Sequence, residues 1–207
     1  HTAVNGVATF SGLMLNKAAN GYTLVASRAP LTAATSDPFN VGKGTATLTL
    51  GNLHHTYDGS PKSAAVTTTP TGLPGVSITY DGSTMAPTNA GSYAVVASLA
   101  NDDYEATTAT GTLVIDKAAS TTTVTCPASI TFDGTAQTPC TAKVTGAGGL
   151  DKSLPVSYAN NTNAGTATAN ATFAGDANHE GSSDSKTFTI EKALSVTTRA
   201  GPRPPAV

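Results

Sequence analysis

An internal repeat of about 75 residues constrains the fold of this chain more than any other feature of its sequence. The matching segments occur in the same order in both copies, at residues 57–59 and 132–134, 88–91 and 162–165, and 111–118 and 186–193. Similarity at a fixed spacing indicates tandem structural units, each with a core of its own. We therefore predict a first repeat at residues 43–118 and a second repeat at residues 119–193.

Two further segments flank these repeats. Residues 21–27 parallel residues 92–98 of the first repeat, so we expect residues 1–42 to be the C-terminal part of another domain. Residues 194–207 form a tail or the start of a further repeat, and their proline-rich end favours an extended chain. Because the sequence begins at His1 without an initiator methionine or a signal-peptide pattern, we treat it as a fragment or a processed form.

Apolar side chains alternate along both repeats with a period of two. Tyr93, Val95 and Ala97 fall on one face of a predicted strand, and Leu113 and Ile115 share one face of the next. No segment offers an amphipathic helical stripe of useful length. About five to seven short strands in each repeat, bounded by turn residues, predict an all-β chain of tandem immunoglobulin-like antiparallel β-sandwiches, arranged as beads on a string.

Charge and hydropathy exclude two classes of partner. The chain has 11 basic and 13 acidic residues and a net charge of -2. It has no cluster of Lys or Arg that would neutralise a row of phosphates, so we expect no nucleic-acid partner. The longest apolar run, at residues 94–97, is far too short to cross a bilayer, so we expect no membrane insertion by this segment.

The two cysteines of the chain, Cys126 and Cys140, lie close together in the sequence of the second repeat. Their spacing suits a disulfide between neighbouring strands, and two buried free thiols are the alternative. A structural zinc site would need two more ligands. The second repeat carries smaller side chains on its predicted strand, with Ala167 and Ala169 where the first has Tyr93 and Val95. We interpret the disulfide as compensation of about 2–4 kcal/mol.

Several motifs carry a resemblance to a known class of repeat. The segments Tyr57-Asp58-Gly59, Thr88-Asn89-Ala90-Gly91-Ser92-Tyr93 and Leu113-Val114-Ile115-Asp116-Lys117-Ala118 resemble MBG-type and related bacterial immunoglobulin-like repeats of large adhesins and surface proteins. Residues 123–127 with residues 163–178 are similar to another variety found in such proteins. The resemblance extends over about residues 3–193. It implies an immunoglobulin-like fold and a secreted or cell-surface location, and it implies no active site.

The histidines are the first side chains to consider for chemistry. His54 and His55 are adjacent, so on a strand they would point to opposite faces, which suits neither a shared metal nor a catalytic pair. His179 stands where the first repeat has Tyr104, which favours a packing or surface role. No serine-nucleophile, phosphate-binding or zinc-protease motif is present, so we expect no catalytic residues, no enzyme activity and no cofactor.

Two acidic loops at equivalent positions of the repeats could supply oxygen ligands to Ca²⁺. The candidate ligands are Asp102, Asp103, Asp176, Asn178 and Glu180. Neither loop has the spacing of an EF-hand, and hydrogen bonds of Asx turns would explain the same residues without an ion. We therefore predict no metal site and keep these five residues as calcium candidates only.

Three hypotheses of function follow. The leading one is a non-catalytic spacer or stalk in a secreted or cell-surface bacterial protein, with the other immunoglobulin-like domains of that protein as its partners. The second is a binding module for glycans or a cell surface, for which the candidate contacts are Tyr80, Tyr104 and Tyr158. The third is a self-assembling extracellular filament, in which a donated strand covers an apolar face of residues 1–42, here called the front segment, around Phe10, Leu13, Leu15 and Leu24.

Overall fold

The computed structural model describes residues 3–195, and these residues divide into two compact units. The first unit comprises the residues up to His55 together with Pro61–Ile115, and the second comprises Thr56–Ser60 together with the residues from Asp116 onward. The front segment is therefore counted with the first unit. Its prediction as the end of a separate domain stays a prediction, and the predicted tail lies outside the described residues except for Leu194 and Ser195.

Almost all regular structure in both units is β-strand. In order along the chain, the strands that begin in the first unit are β1 (Ala19–Tyr22), β2 (Val25–Arg28), β3 (Leu31–Thr35), β4 (Phe39–Val41), β5 (Gly44–Thr45), β6 (Thr47–Gly51), β7 (His54–Thr56), β8 (Ala65–Thr69), β9 (Val76–Tyr80), β10 (Gly91–Leu99), β11 (Tyr104–Glu105) and β12 (Ala109–Asp116). Those of the second unit are β13 (Ser120–Thr125), β14 (Ser129–Thr131), β15 (Thr141–Gly146), β16 (Leu150–Leu154), β17 (Ser157–Ala159), β18 (Gly165–Phe173) and β19 (Ser182–Glu191). A single 3₁₀ turn, Ala147–Gly149, joins β15 to β16 in the described part of the chain.

The first repeat is built around a four-stranded sheet in the order β7-β12-β10-β9. A separate antiparallel pair, β6 and β8, contacts this sheet through β10. The predicted alternation along β10 is confirmed, because Val95 and Ala97 are fully buried whereas Val96 is 39% exposed. Leu113 and Ile115 of β12 are buried on the same side of the sheet. The sandwich thus follows from the period of two in the sequence.

The second repeat has the same plan with a larger second sheet. Its four-stranded sheet has the order β14-β19-β18-β17, and the facing sheet has the order β13-β15-β16. All neighbouring strands are antiparallel except β14, which runs parallel to β19. Buried residues from both sheets form one core cluster, among them Val124, Ala142, Ala169, Phe188 and Ile190. The all-β class and sandwich architecture predicted from the sequence are therefore shown.

The register of the second sheet shows how small side chains are accommodated. Ala167 of β18 lies opposite Phe188 of β19, whereas Tyr93 of β10 lies opposite Leu113 of β12. The larger Phe188 therefore fills part of the volume that Ala167 leaves. This pairing of a large and a small residue keeps the core packed even though the strand itself is rich in alanine.

The apolar side chains of the front segment are more exposed to solvent than those of the two repeats. It contains two antiparallel pairs, β1 with β4 and β2 with β3. Residues 21–27 correspond to β10, which has a neighbour on both sides, but β2 has only β3 in the described part of the chain. Leu24 is accordingly 49% exposed, whereas its counterpart Val95 is fully buried. No helix in the described part of the chain has the length and apolar character needed to cross a membrane.

Candidate functional site

The loop that connects β18 to β19 holds most of the polar side chains singled out in the second repeat. The Asp176 carboxylate accepts hydrogen bonds at 2.8 Å from the backbone N–H groups of Asn178 and His179. The N–H of Asn178 contributes most to lowering the pKa of Asp176 below its usual value, and the His179 side chain adds to the effect. This Asx turn uses the carboxylate of Asp176 to order the loop.

The corresponding loop of the first repeat is ordered by an amide in the same place. The Asn101 side-chain oxygen accepts hydrogen bonds at 3.0 Å from the N–H groups of Asp103 and Tyr104. The Asp103 carboxylate accepts a further bond at 2.8 Å from the N–H of Ala18. The uncharged Asn101 side chain accepts hydrogen bonds from the N–H groups two and three residues later, as Asp176 does in the second repeat. The loop conformation therefore requires no ion. The described residues contain no group of three or more His, Cys, Asp or Glu arranged to hold a metal.

His179 is a buried side chain with a partner at each ring nitrogen. It is 5% exposed, with Nδ1 at 2.9 Å from the Asp176 carboxylate and Nε2 at 2.9 Å from the carbonyl oxygen of Ala147. An added Cβ at Gly146 would lie only 3.1 Å from its ring. His179 therefore ties the β18–β19 loop to residues 146–149, which we call the glycine turn. Its counterpart Tyr104 is half-buried, and its ring lies against Gly44.

A loop from the first repeat by sequence completes this cluster. The residues Tyr57-Asp58-Gly59, here called the Tyr57 loop, belong to the second compact unit. The rings of Tyr57 and His179 meet edge to face with centroids 5.3 Å apart. An added Cβ at Gly148 would lie 2.6 Å from the Tyr57 hydroxyl oxygen, and one at Gly59 would lie 2.7 Å from the Gly148 Cα. Both contacts need glycine, since no side chain fits at these distances.

The segment that joins β12 to β13 is hydrogen-bonded into the same unit. The Lys117 ammonium donates to the carbonyl oxygen of Asp176 at 2.6 Å. The Ala118 N–H donates to the Asn178 carbonyl at 2.9 Å, and the Glu180 N–H donates to the Ala118 carbonyl at 2.8 Å. Lys117 and Ala118 are therefore hydrogen-bonded within the second unit, and only the three residues 117–119 separate β12 from β13.

The tyrosines that we expected to contact a ligand are engaged in packing. Tyr80 is buried, and its hydroxyl oxygen accepts a hydrogen bond at 2.9 Å from the N–H of Ala64. Tyr158 packs against Phe188, and its hydroxyl bonds to the backbone N–H and carbonyl of Cys140 at 2.9 and 3.0 Å. Tyr104 is half-buried. Contact of these three tyrosines with a glycan or a cell surface stays a prediction.

The remaining candidates lie where the sequence places them. His54 and His55 are neighbours on β7, so their side chains project to opposite sides of the strand. His55 Nε2 lies 3.0 Å from the carbonyl oxygen of Asn52. Cys126 and Cys140 form a disulfide with Cα atoms 4.3 Å apart, which continues the pairing of β13 with β15.

These observations define an all-β sandwich repeat whose ordered polar groups serve turns and packing. Residues 46–119 match the family model of the MBG domain, a family of MBG-type bacterial immunoglobulin-like repeats, so the resemblance seen in the sequence is confirmed over this segment. MBG domains are repeat domains of bacterial surface proteins, and such a repeat is typical of structural rather than enzymatic domains. No curated protein matches the chain.

The sequence analysis missed the cluster of Tyr57, Gly148 and His179. Two of these residues lie in recognisable sequence motifs. Tyr57 belongs to an aromatic-Asp-Gly motif that occurs in both repeats, and Gly148 belongs to the glycine-rich segment Gly146-Ala147-Gly148-Gly149. Turn formation explains each motif separately, so neither signal pointed to the other.

Proposed function

We propose that this chain is a non-catalytic spacer in a bacterial surface protein, located outside the cell. The observation that carries the proposal is the short connection at residues 117–119. A spacer transmits position best when its repeats are joined without a long free linker, and here Lys117 and Ala118 are hydrogen-bonded within the second unit.

Two further features support this reading. The disulfide between Cys126 and Cys140 suits an oxidising compartment such as the exterior of a bacterial cell. The two repeats also share a sandwich fold although their side chains differ, as in Ala167 for Tyr93, which suits a function that depends on shape. A catalytic or glycan-binding domain would instead need a convergent set of polar or aromatic side chains.

Small-angle X-ray scattering of the full chain tests the proposal, with a variant in which glycine residues are inserted between Lys117 and Ala118. A spacer predicts one well-defined maximum dimension for the native chain and a broader distribution of distances for the inserted variant. Identical distance distributions would show that the junction does not restrict the chain, and the proposal would fail.

A second candidate function is self-association through the front segment, and the exposure of its apolar residues favours it. A groove in this segment is lined by Phe10, Leu13, Leu24, Val25 and Ala34, with flanking small residues. Since β2 has no second neighbour among residues 3–195, unlike its counterpart β10, a strand from another copy of the chain would cover this groove. Light scattering over a wide concentration range tests this, because a constant monomer mass would contradict it. The double variant Leu24→Ser with Val25→Ser is expected to reduce any growth in mass.

A further inference from the structure

The loop Phe132-Asp133-Gly134, here called the Phe132 loop, has the same conformation as the Tyr57 loop. Gly134 has φ +85° and Gly59 has φ +87°. In each loop the Asp carboxylate accepts a hydrogen bond at 2.8 Å from the backbone N–H two residues later. The pKa of Asp133 is lowered below its usual value, chiefly by the side chain of Gln137.

Both loops are also attached to the last strand of their repeat in the same way. The Tyr57 N–H donates to the carbonyl oxygen of Asp116 at 2.9 Å, and the Phe132 N–H donates to that of Glu191 at 2.8 Å. In the first repeat, the chain continues from Asp116 through Lys117 and Ala118 into the second unit. The sequence after Glu191 reproduces this step, since Glu191-Lys192-Ala193 follows the pattern Asp116-Lys117-Ala118.

The two loops differ in what lies against them. Gly59 faces Gly148 of the glycine turn at a distance that excludes any side chain, whereas an added Cβ at Gly134 would meet no atom of the described residues within 4 Å. The Phe132 loop thus resembles the Tyr57 loop in conformation, but no described atom lies within 4 Å of the Cβ position of its glycine, Gly134.

We propose that the Phe132 loop is a docking surface for the glycine turn of a further MBG-type repeat, which enters through the segment at Lys192 and Ala193. The occupant is specified by the chemistry at the Tyr57 loop. It carries glycine at the counterpart of Gly148, because a Cβ there would meet the aromatic ring. It carries His or Tyr at the counterpart of His179, where the first and second repeats already have those two residues.

Phe132 itself packs partly against the core of its own repeat, so the open position of the loop is at Gly134. The absence of a hydroxyl group in Phe132 leaves more room for the incoming turn than Tyr57 does. This inference rests on the proposed spacer function, and it identifies the contact that would hold one repeat to the next.

The native chain provides the first test. Gly59→Ala and Gly134→Ala impose the same strain, because their φ angles are nearly equal, but only the first also forces a Cβ against Gly148. We expect Gly59→Ala to lower the melting temperature of the second unit by roughly 5 °C more than Gly134→Ala. Equal losses would show that the glycine contact has no energetic effect, and the proposal would be overturned.

The second test uses a chain lengthened after Glu191 by a second copy of residues 117–193. Docking predicts that Gly134→Ala becomes as costly as Gly59→Ala in the lengthened chain, and that amide hydrogen exchange of residues 133–135 slows several-fold. Gly72→Ala is the matched control, because Gly72 has φ +76° with no described atom near its Cβ position, and its cost should be the same in both chains. A Gly134→Ala cost that does not change on lengthening overturns the proposal. The glycine-insertion experiment on the junction at residue 117 tests the spacer function without this loop, so the two failures are distinguishable.

Discussion

The phenol ring of Tyr57 stands at 84° to the imidazole ring of His179, with the ring centroids 5.3 Å apart. Tyr57 lies in the first repeat by sequence but in the second compact unit by contact. The second unit is therefore completed by a loop from the first repeat. This loop lies more than half a repeat length before the start of the second repeat. Its stability depends on residues that the repeat boundary alone would exclude.

Substitution of Tyr57 tests this dependence. Tyr57→Ala removes the edge-to-face contact with His179 and the apolar area of the ring, so we expect the second unit to lose about 2 kcal/mol of unfolding free energy. Tyr57→Phe keeps the ring and should change it by less than about 0.5 kcal/mol. The unfolding free energies of both variants are measured by urea unfolding, monitored through amide hydrogen exchange in β18. Equal losses in the two variants would contradict a role for the ring.

Adjacent valines of β10 provide a matched test of the first core. Val95 is fully buried and Val96 is 39% exposed, although the two residues have the same side chain on the same strand. We expect Val95→Ala to cost about 2 kcal/mol or more through lost burial and the cavity left behind. Val96→Ala should cost no more than about 0.5 kcal/mol. Chemical denaturation of the first unit checks the difference, and a reversed order would mean that the strand register is wrong.

Much of the fold could be predicted because the information lies in short-range patterns. The alternation at Val95 and Ala97, and at Leu113 and Ile115, determines which faces of β10 and β12 are buried. The repeat then transfers that assignment to Ala169, Phe188 and Ile190, all of which are buried in the second core. The proximity of Cys126 and Cys140 followed from their spacing between paired strands.

The cluster around His179 could not be predicted in the same way, because it joins three segments that are distant in the sequence. Tyr57, Gly148 and His179 each have a local explanation, in a turn, a glycine-rich connection and a substituted repeat position. Only the fold reveals that these local features contact one another. The hydrogen bonds of Tyr80 and Tyr158 to the backbone at Ala64 and Cys140 were equally absent from the sequence pattern, because they too join residues that are 16 and 18 positions apart.

Reduction of the disulfide should act on one repeat only. Cys126 and Cys140 are separated by 14 positions in the sequence, and the loop that they close includes β14, a strand of the four-stranded sheet. The chain-entropy estimate for a loop of this size is about 3 kcal/mol, in line with the compensation expected from the small side chains of β18. We expect the double variant Cys126→Ser with Cys140→Ser to lower the melting temperature of the second unit and to leave the first unit unchanged. Calorimetry in the presence and absence of reductant measures the effect. An unchanged melting temperature of the second unit would refute the hypothesis that the disulfide compensates for the small side chains.

The acid stability of the second unit should depend on the charge of Asp176, because Asn101 forms the same turn in the first repeat without a charge. Hydrogen bonds, first from the Asn178 N–H and then from the His179 side chain, lower the pKa of Asp176 in the folded state. A carboxylate with a lowered pKa adds stability above its unfolded pKa of about 3.9, and that contribution is lost as the pH falls through the folded value.

Asp176→Asn introduces into the second repeat the residue that forms the same turn in the first, where the Asn101 side-chain oxygen accepts hydrogen bonds from the N–H groups of Asp103 and Tyr104. We therefore expect this variant to lose less melting temperature than the native chain between about pH 5 and pH 2. The variant should retain some acid sensitivity from Asp184, whose pKa is lowered chiefly by the N–H of Val124. Superimposable acid-denaturation profiles of the variant and the native chain would show that the charge of Asp176 does not stabilise the loop.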